Sequence, residues 1–557
     1  MIRTPWLVAA AALLAASPVG VSSQQPAAAA ASGITAREID GHLRFLSHDL
    51  LEGRAPATRG GELAAEYIAA QLRAFGVEPA GVDGSYFQRV PIDVVAVDTA
   101  TLRVGAVTQA RGEMTVVNST LRYPQDVVVW AGSATEGTTA RGELVFVGYG
   151  STAPEYQWDD FKDVDVRGKI LLVLVNDPPA PPREPNLFGG RAMTYYGRWT
   201  YKFEEAERRG AAGALIVHTT EQAGYPWHTV VGSWAKEQRM LARDPKLPAP
   251  LGFRGWITDS AAGAVLRRAG VDLAELRRRA ESRSFRPVPT GVTLEATFRN
   301  RVQHLHSNNV VGVVRGRDAA LRDQYVAFSS HWDHLGTGPA VNGDSIYNGA
   351  LDNASGVADL LAVARVASQS PRSRRSLLFV FVTAEESGLL GSAYFGQNPT
   401  VPIERIVANI NVDGGNLKGR TRDLEVLGEN KSSLGPMLAA MIRPLGMRIS
   451  PEEHPERGYF YRSDHFSFAK VGVPAVSIGE GTDVVGKPRV WGTEWDEEYT
   501  ARRYHQPSDE YRADYDLSGA VQLSEIVLRF GLLVANSPTV PTWNRDAEFR
   551  ALRAVVP

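Results

Sequence analysis

Apolar residues recur along this chain with two periods, and the period changes from region to region. Over 34–75 the spacing is helical: Ile39, Leu43 and Leu46, then Leu63, Tyr67, Ile68 and Leu72, which predicts two amphipathic helices. Between them Asp49-Leu50-Leu51-Glu52-Gly53-Arg54 forms a charged, glycine-marked break, and Gly76 closes the second helix as a C-cap. Short β-like runs come next at 94–97 and 127–130, parted by glycine and threonine. From about 130 to 290 the pattern predicts buried strands at 144–147, 170–175 and 214–217, a helix over 201–209 and an extended proline-rich loop at 178–185. No histidines and carboxylates cluster at strand ends there, so this stretch reads as an inserted accessory domain. After about 300, strands at 326–330, 377–383, 406–412 and 475–478 alternate with helices, which predicts an α/β sheet. A small-residue helix over 357–367 is capped by Asn353 or Ser355.

Composition narrows the chemistry. The 557 residues are 44% hydrophobic and 22% charged, which excludes wholesale disorder. Sixty basic against 62 acidic residues leave a net charge of −2, so no nucleic-acid partner is expected. The absence of cysteine removes disulfides, thiol nucleophiles and thiolate metal sites together. At the N-terminus, Arg3, an apolar run over 7–16 and the small-x-small tripeptide Val21-Ser22-Ser23 predict a signal peptide over 1–23, cut before Gln24. That run is too short for a bilayer anchor, which takes about 20 residues. No later segment offers 18 uninterrupted apolar residues, so the expectation is an exported, periplasmic or extracellular protein without a membrane span.

The chemistry lies in the residues just past each strand. The first strand ends in His331-Trp332-Asp333-His334, the second in Glu385-Glu386 and the third in Asp413. In an open α/β sheet ligands bind beyond the carboxyl ends of the strands, so three strands deliver histidine and carboxylate to one rim. Asp352 precedes a helix whose N-terminus falls near that rim, and His505 sits in the loop His505-Gln506-Pro507-Ser508-Asp509. Carboxylates placed straight after apolar runs are costly to bury without a positive partner. Nitrogen and oxygen donors with no thiolate suit zinc, with manganese or cobalt as substitutes.

The ordered set His-x-Asp, Asp-Asn, Glu-Glu, Asp, His resembles the co-catalytic zinc peptidases typified by bacterial leucyl aminopeptidases, with glutamate carboxypeptidases as relatives. The resemblance covers most of 35–135 and 290–535, and the inserted stretch looks like a protease-associated domain. It implies a mixed, mostly parallel sheet with helices on both faces plus a β-rich insert. The implied division is 24–130 and 291–535 for the catalytic domain, 131–290 for the insert and 536–557 for a tail. It also implies two Zn2+ ions, one on His331, Asp352 and Asp413, the other on Asp352, Glu386 and His505, with Asp352 bridging through a cis Asp352–Asn353 peptide. By the same resemblance Asp333 orients His331, and Glu385 is the general base on a metal-bridging water.

One departure stands out. Where leucyl aminopeptidases place an oxyanion-stabilising tyrosine, three residues before Ser463, this chain has Phe460 flanked by Tyr459 and Tyr461; either neighbour could substitute at the substrate in a shifted loop, with Tyr461 the preferred one. Asp464 and His465 read as pocket-shaping, His334 as a hydrogen-bonding residue of the rim, and His304 and His306 as exposed or structural positions on a strand. The implied activity is exopeptidase action on peptides, as an aminopeptidase. A carboxypeptidase, a one-zinc glutaminyl cyclase and a receptor-like relative without metals are the alternatives. Oligomeric state is not legible.

Overall fold

The computed structural model describes residues 33–110, 113–243 and 249–553. The leader expected over 1–23 and the start of the mature chain lie outside them. Two helices open the described chain, α1 (Ala36–Leu46) and α2 (Arg59–Ala74), capped by Thr35 and Thr58. The strand β1 (Phe87–Ala110) forms a hairpin with β2 (Glu113–Leu121). Then come β3 (Val127–Ala131), β4 (Gly137–Phe146), β5 (Ile170–Leu174), the helix α3 (Trp199–Arg208), β6 (Gly213–His218) and β7 (Phe253–Thr258). A second long strand, β8 (Val288–Val314), leads to β9 (Tyr325–His331), α4 (Gly356–Gln369), β10 (Ser376–Val382) and α5 (Leu390–Gln397). The chain closes with β11 (Ile406–Asn411), β12 (Asp423–Leu427), β13 (Arg448–Ser450), α6 (His465–Ala469), β14 (Ala475–Glu480) and α7 (Ser518–Asn536).

The main sheet runs β13-β12-β14-β11-β9-β10-β8-β4-β5-β6-β7-β3. The half that carries β9 to β14 is mixed and mostly parallel: β14, β11, β9 and β10 are mutually parallel, β12 is antiparallel to β14 and parallel to β13, and β8 is antiparallel to its neighbours. Successive side chains of a strand face opposite sides, and β10 is apolar on both. Leu377, Phe379 and Phe381 join a core with α1, α2, α4 and α7, while Leu378, Val380 and Val382 join another with Phe395 of α5 and Phe468 of α6. Burial on both faces is what a parallel sheet sandwiched by helices requires. Among the described residues α7 alone is long and apolar enough to cross a bilayer, yet 72% of it is buried inside the protein.

β1 and β8 are far longer than the short runs their sequences suggest. They pair antiparallel from Phe87 opposite Val310 to Ala106 opposite Val292, with a bulge at Arg299/Asn300. Alternating polar positions such as Asp93 and His304 hide this strand from a search for apolar runs; their side chains pair across it at 2.6 Å. Val127–Ala131 pairs with β7 at the far edge of the same sheet.

Candidate metal centre

The carboxyl ends of β9, β10 and β11 converge. His331, the last residue of β9, is fully buried, and its Nδ1 lies 3.2 Å from the Asp333 carbonyl. A carbonyl only accepts, so Nδ1 carries the proton and Nε2 faces carboxylates: Asp352 Oδ1 at 3.3 Å and Asp413 Oδ1 at 3.1 Å. On the far side of Asp352, Oδ2 lies 3.3 Å from His505 Nε2, which also reaches Glu386 Oε2 at 3.1 Å. One carboxylate therefore stands between two histidines, each accompanied by a further acid. A histidine nitrogen facing two carboxylate oxygens is favourable only with a proton or a metal cation on it. Burial alone would lower the pKa of His331, but Asp413, Glu385 and Asp352 hold it well above the usual value. His505 is likewise carried up against burial, to about 10, by Asp352 and Glu386.

The backbone is bent to this purpose. The Asp352–Asn353 peptide is cis. Ala384, just before Glu385, and His505 itself both have left-handed backbone, with φ of 55° and 58°. Non-glycine residues there cost free energy and cluster at functional sites. Asn353 is fully buried: its Oδ1 accepts from Gly356 N and Gly414 N, and its Nδ2 donates to Ser330 Oγ and the His331 carbonyl. It thus caps α4 and ties the ends of two strands. Ser355, the other expected cap, bonds Leu351 O and Gly415 N instead.

The remaining acids surround this pair. Asp333 is buried; Oδ1 accepts from Glu385 N at 3.1 Å and lies 3.8 Å from His331 Nδ1, so its carbonyl is nearer that nitrogen than its carboxylate. His331, Glu385 and Glu386 can bring one donor atom each to within 4.8 Å of one another. Burial and the negative charges of Asp413, Glu386 and Asp464, opposed by His331, push the Glu385 carboxyl well up. Asp464 is also buried and raised to about 7, chiefly by burial, with Asp413 and Asp333 adding to it.

Two residues sit differently from their sequence reading. His334 is wholly buried rather than on the rim, its Nδ1 2.7 Å from Glu386 Oε1. Tyr461, expected beside the substrate, is buried with its hydroxyl donating to Glu548 Oε1 at 2.5 Å and accepting from Lys431 Nζ at 3.1 Å.

Two others escape sequence reasoning. Tyr504 is about half exposed yet stacks on the His505 ring at 3.9 Å, and its partly desolvated hydroxyl and the charges of Asp352, Glu386, Glu385 and Asp413 suppress its ionisation. Asp509 is buried and accepts from Leu351 N, Asp352 N and the Tyr499 hydroxyl, so it fastens the His505 loop to the Asp352 loop. The only signal for either is closeness in sequence to His505.

Residues 309–531 match the model of peptidase family M28. The mouse aminopeptidase NAALADL1 is 36% identical over 131 residues, 22% of this chain and 16% of that protein. The probable lipoprotein aminopeptidase LpqL of Mycobacterium tuberculosis is 25% identical over 239 residues, 40% of this chain and 43% of its own. The chain thus spans less than half the length of these curated relatives. Among solved structures, an aminopeptidase from Aneurinibacillus sp. strain AM-1 aligns over 92% of this chain and 97% of its own, with 20% identity and a TM-score of 0.48. Every residue of the carboxylate–histidine cluster lies within 309–531, the segment in which the chain is similar to peptidase family M28.

Proposed function

We propose that this chain is a two-zinc exopeptidase, an aminopeptidase that releases the N-terminal residue of peptides. The observation that carries the reading is the division of Asp352, Oδ1 toward His331 and Oδ2 toward His505, at 3.3 Å each. His331, Asp352 and Asp413 would hold one ion, and Asp352, Glu386 and His505 the other. The donors are imidazole nitrogens and carboxylate oxygens, which fit zinc, with manganese or cobalt as substitutes. Held by these residues, zinc would supply the Lewis acidity that polarises a carbonyl and acidifies water.

The chain's own groups do the rest. Glu385 takes a proton from the attacking water and returns it to the leaving amine. Asp333 holds Glu385 in place through its backbone N–H. The Tyr504 hydroxyl, close enough to the clustered acids to feel their charge, donates to the developing oxyanion in place of that of Tyr461, which Glu548 and Lys431 engage. The aminopeptidase assignment rests on the names of the M28 relatives. Residues 1–23 act as a cleaved export leader, and 131–290 form an accessory domain of protease-associated type.

Metal analysis combined with a panel of free, N-blocked and C-blocked peptides tests the reading. Two zinc ions per chain and cleavage abolished by N-blocking alone are expected. Cleavage abolished by C-blocking alone would turn the assignment to a carboxypeptidase.

A further inference from the structure

The charged break between α1 and α2 has no part in the chemistry above, yet it is among the most constrained pieces of the molecule. Glu52, Gly53 and Arg54 are three consecutive residues with left-handed backbone, at φ of 49°, 71° and 52°. A Cβ on Gly53 would collide with the carbonyls of Tyr347 and Gly336, so only glycine fits. This turn delivers a guanidinium to a place of zero exposure. Arg54 Nε donates to the Trp332 carbonyl at 2.9 Å, Nη1 to the carbonyls of Leu46 and Asn348, and Nη2 to that of Gly349 at 3.0 Å. Its own carbonyl accepts from His334 N. From the other direction, Asn348 Nδ2 donates to Ser47 O and Asp49 Oδ1.

Among the described residues Arg54 forms no ion pair. A buried cation bonded only to neutral carbonyls needs a counter-charge, and the acids that favour its charge are Asp333, Asp509, Asp352 and Glu386. Burial lowers its pKa only to about 10, so it stays protonated at neutral pH.

We infer that Arg54 is a positioning residue for the metal centre: its planar fork bolts the His331–His334 segment to the Asn348–Asp352 loop, fixing His331 and Asp352 relative to each other before any metal arrives. The inference rests on the two-zinc reading for its consequence and on the contacts alone for its geometry. Lysine retains the charge but has no fork and cannot span both segments.

Two measurements test it. In the first, zinc affinity is read by competition with a chromogenic chelator for wild type, Arg54→Lys and Arg54→Met, with melting of the metal-free proteins and kcat and KM alongside. Partners behind metal ligands typically contribute about 10–100-fold in affinity or activity. Arg54→Met should lose zinc affinity and kcat in that range with KM little changed, and Arg54→Lys should recover only part. A folded Arg54→Met with wild-type zinc affinity and kcat would overturn the inference.

The second needs no variant. In chelator-treated wild type, the amides of 331–334 and 350–354 should stay protected from hydrogen exchange. Exchange as fast as in an open loop would mean that metal, not Arg54, holds them, and would also overturn it. A wild type that binds no zinc would sink the functional reading, while the exchange result would still decide Arg54.

Discussion

At the scale of single residues, the centre is a matter of which atom faces which. Glu385→Gln keeps size and hydrogen bonding but cannot accept a proton, so turnover should fall by about 10²–10⁴-fold with both zinc ions retained. Turnover and zinc content on one preparation check this; near-normal activity in the fully metallated variant would remove Glu385 as base. His331→Ala and His505→Ala should each lower zinc content by one ion, from different positions, and Asp352→Ala should disturb both. Three variants that all kept two ions would refute the ligand assignment. His331, Asp352, Glu385, Glu386, Asp413 and His505 can be singled out in the sequence because each ends a legible strand or lies in a short motif. Arg54 cannot, since its partners Asn348 and Gly349 lie 294 and 295 residues away. Tyr504 is silent too, because a stacked ring beside a histidine has no signature of its own.

At the scale of elements, β10 and β11 are legible because both faces are buried and apolar residues dominate the run, Asn409 and Asn411 interrupting it only in β11. β1 and β8 are not, because half their positions are polar and pair across the ribbon. The first turn of α6 shows how an element sets a titration. His465 is fully enclosed, its ring edge-on to Phe460 at 4.8 Å, and burial aided by Lys431 pulls its pKa down to about 3. A folded-state pKa below the unfolded value near 6.5 stabilises fully above pH 6.5, and the contribution drains away as pH falls toward 3. The slope is about 1.4 kcal/mol per pH unit between those limits. His465→Gln should therefore show a shallower loss of denaturation free energy from pH 6.5 to 4.5 than wild type. Equal slopes in the two proteins would show that His465 does not titrate this way.

At the scale of the whole molecule, the two halves of the sheet meet twice. One meeting is the shared ribbon of β1 and β8. The other is the contact of Tyr195 and α3 with α6 and its flanks, where Tyr195 packs against Tyr461, Phe466 and Phe549 and Glu204 pairs with Lys470 at 2.7 Å. On the proposed assignment, ligands spread from residue 331 to 505 would make bound metal a brace on the native state alone. At 100 times its dissociation constant each ion should add about 2.7 kcal/mol. Chelation should lower the melting temperature, and graded zinc should restore it in a concentration-dependent way; a melting curve indifferent to zinc would contradict this. The ribbon also imposes a timetable on birth at the ribosome. One edge of residues 87–106 pairs only with 292–310, so although 102–110 can fold back on β2 at once, about 200 residues must be translated before that edge is filled, roughly 10–40 s at about 5–20 residues per second. Throughout that interval the nascent N-terminal segment holds an unclaimed strand edge and two helices with no sheet to lie on. It is then that the chain is most in need of a chaperone.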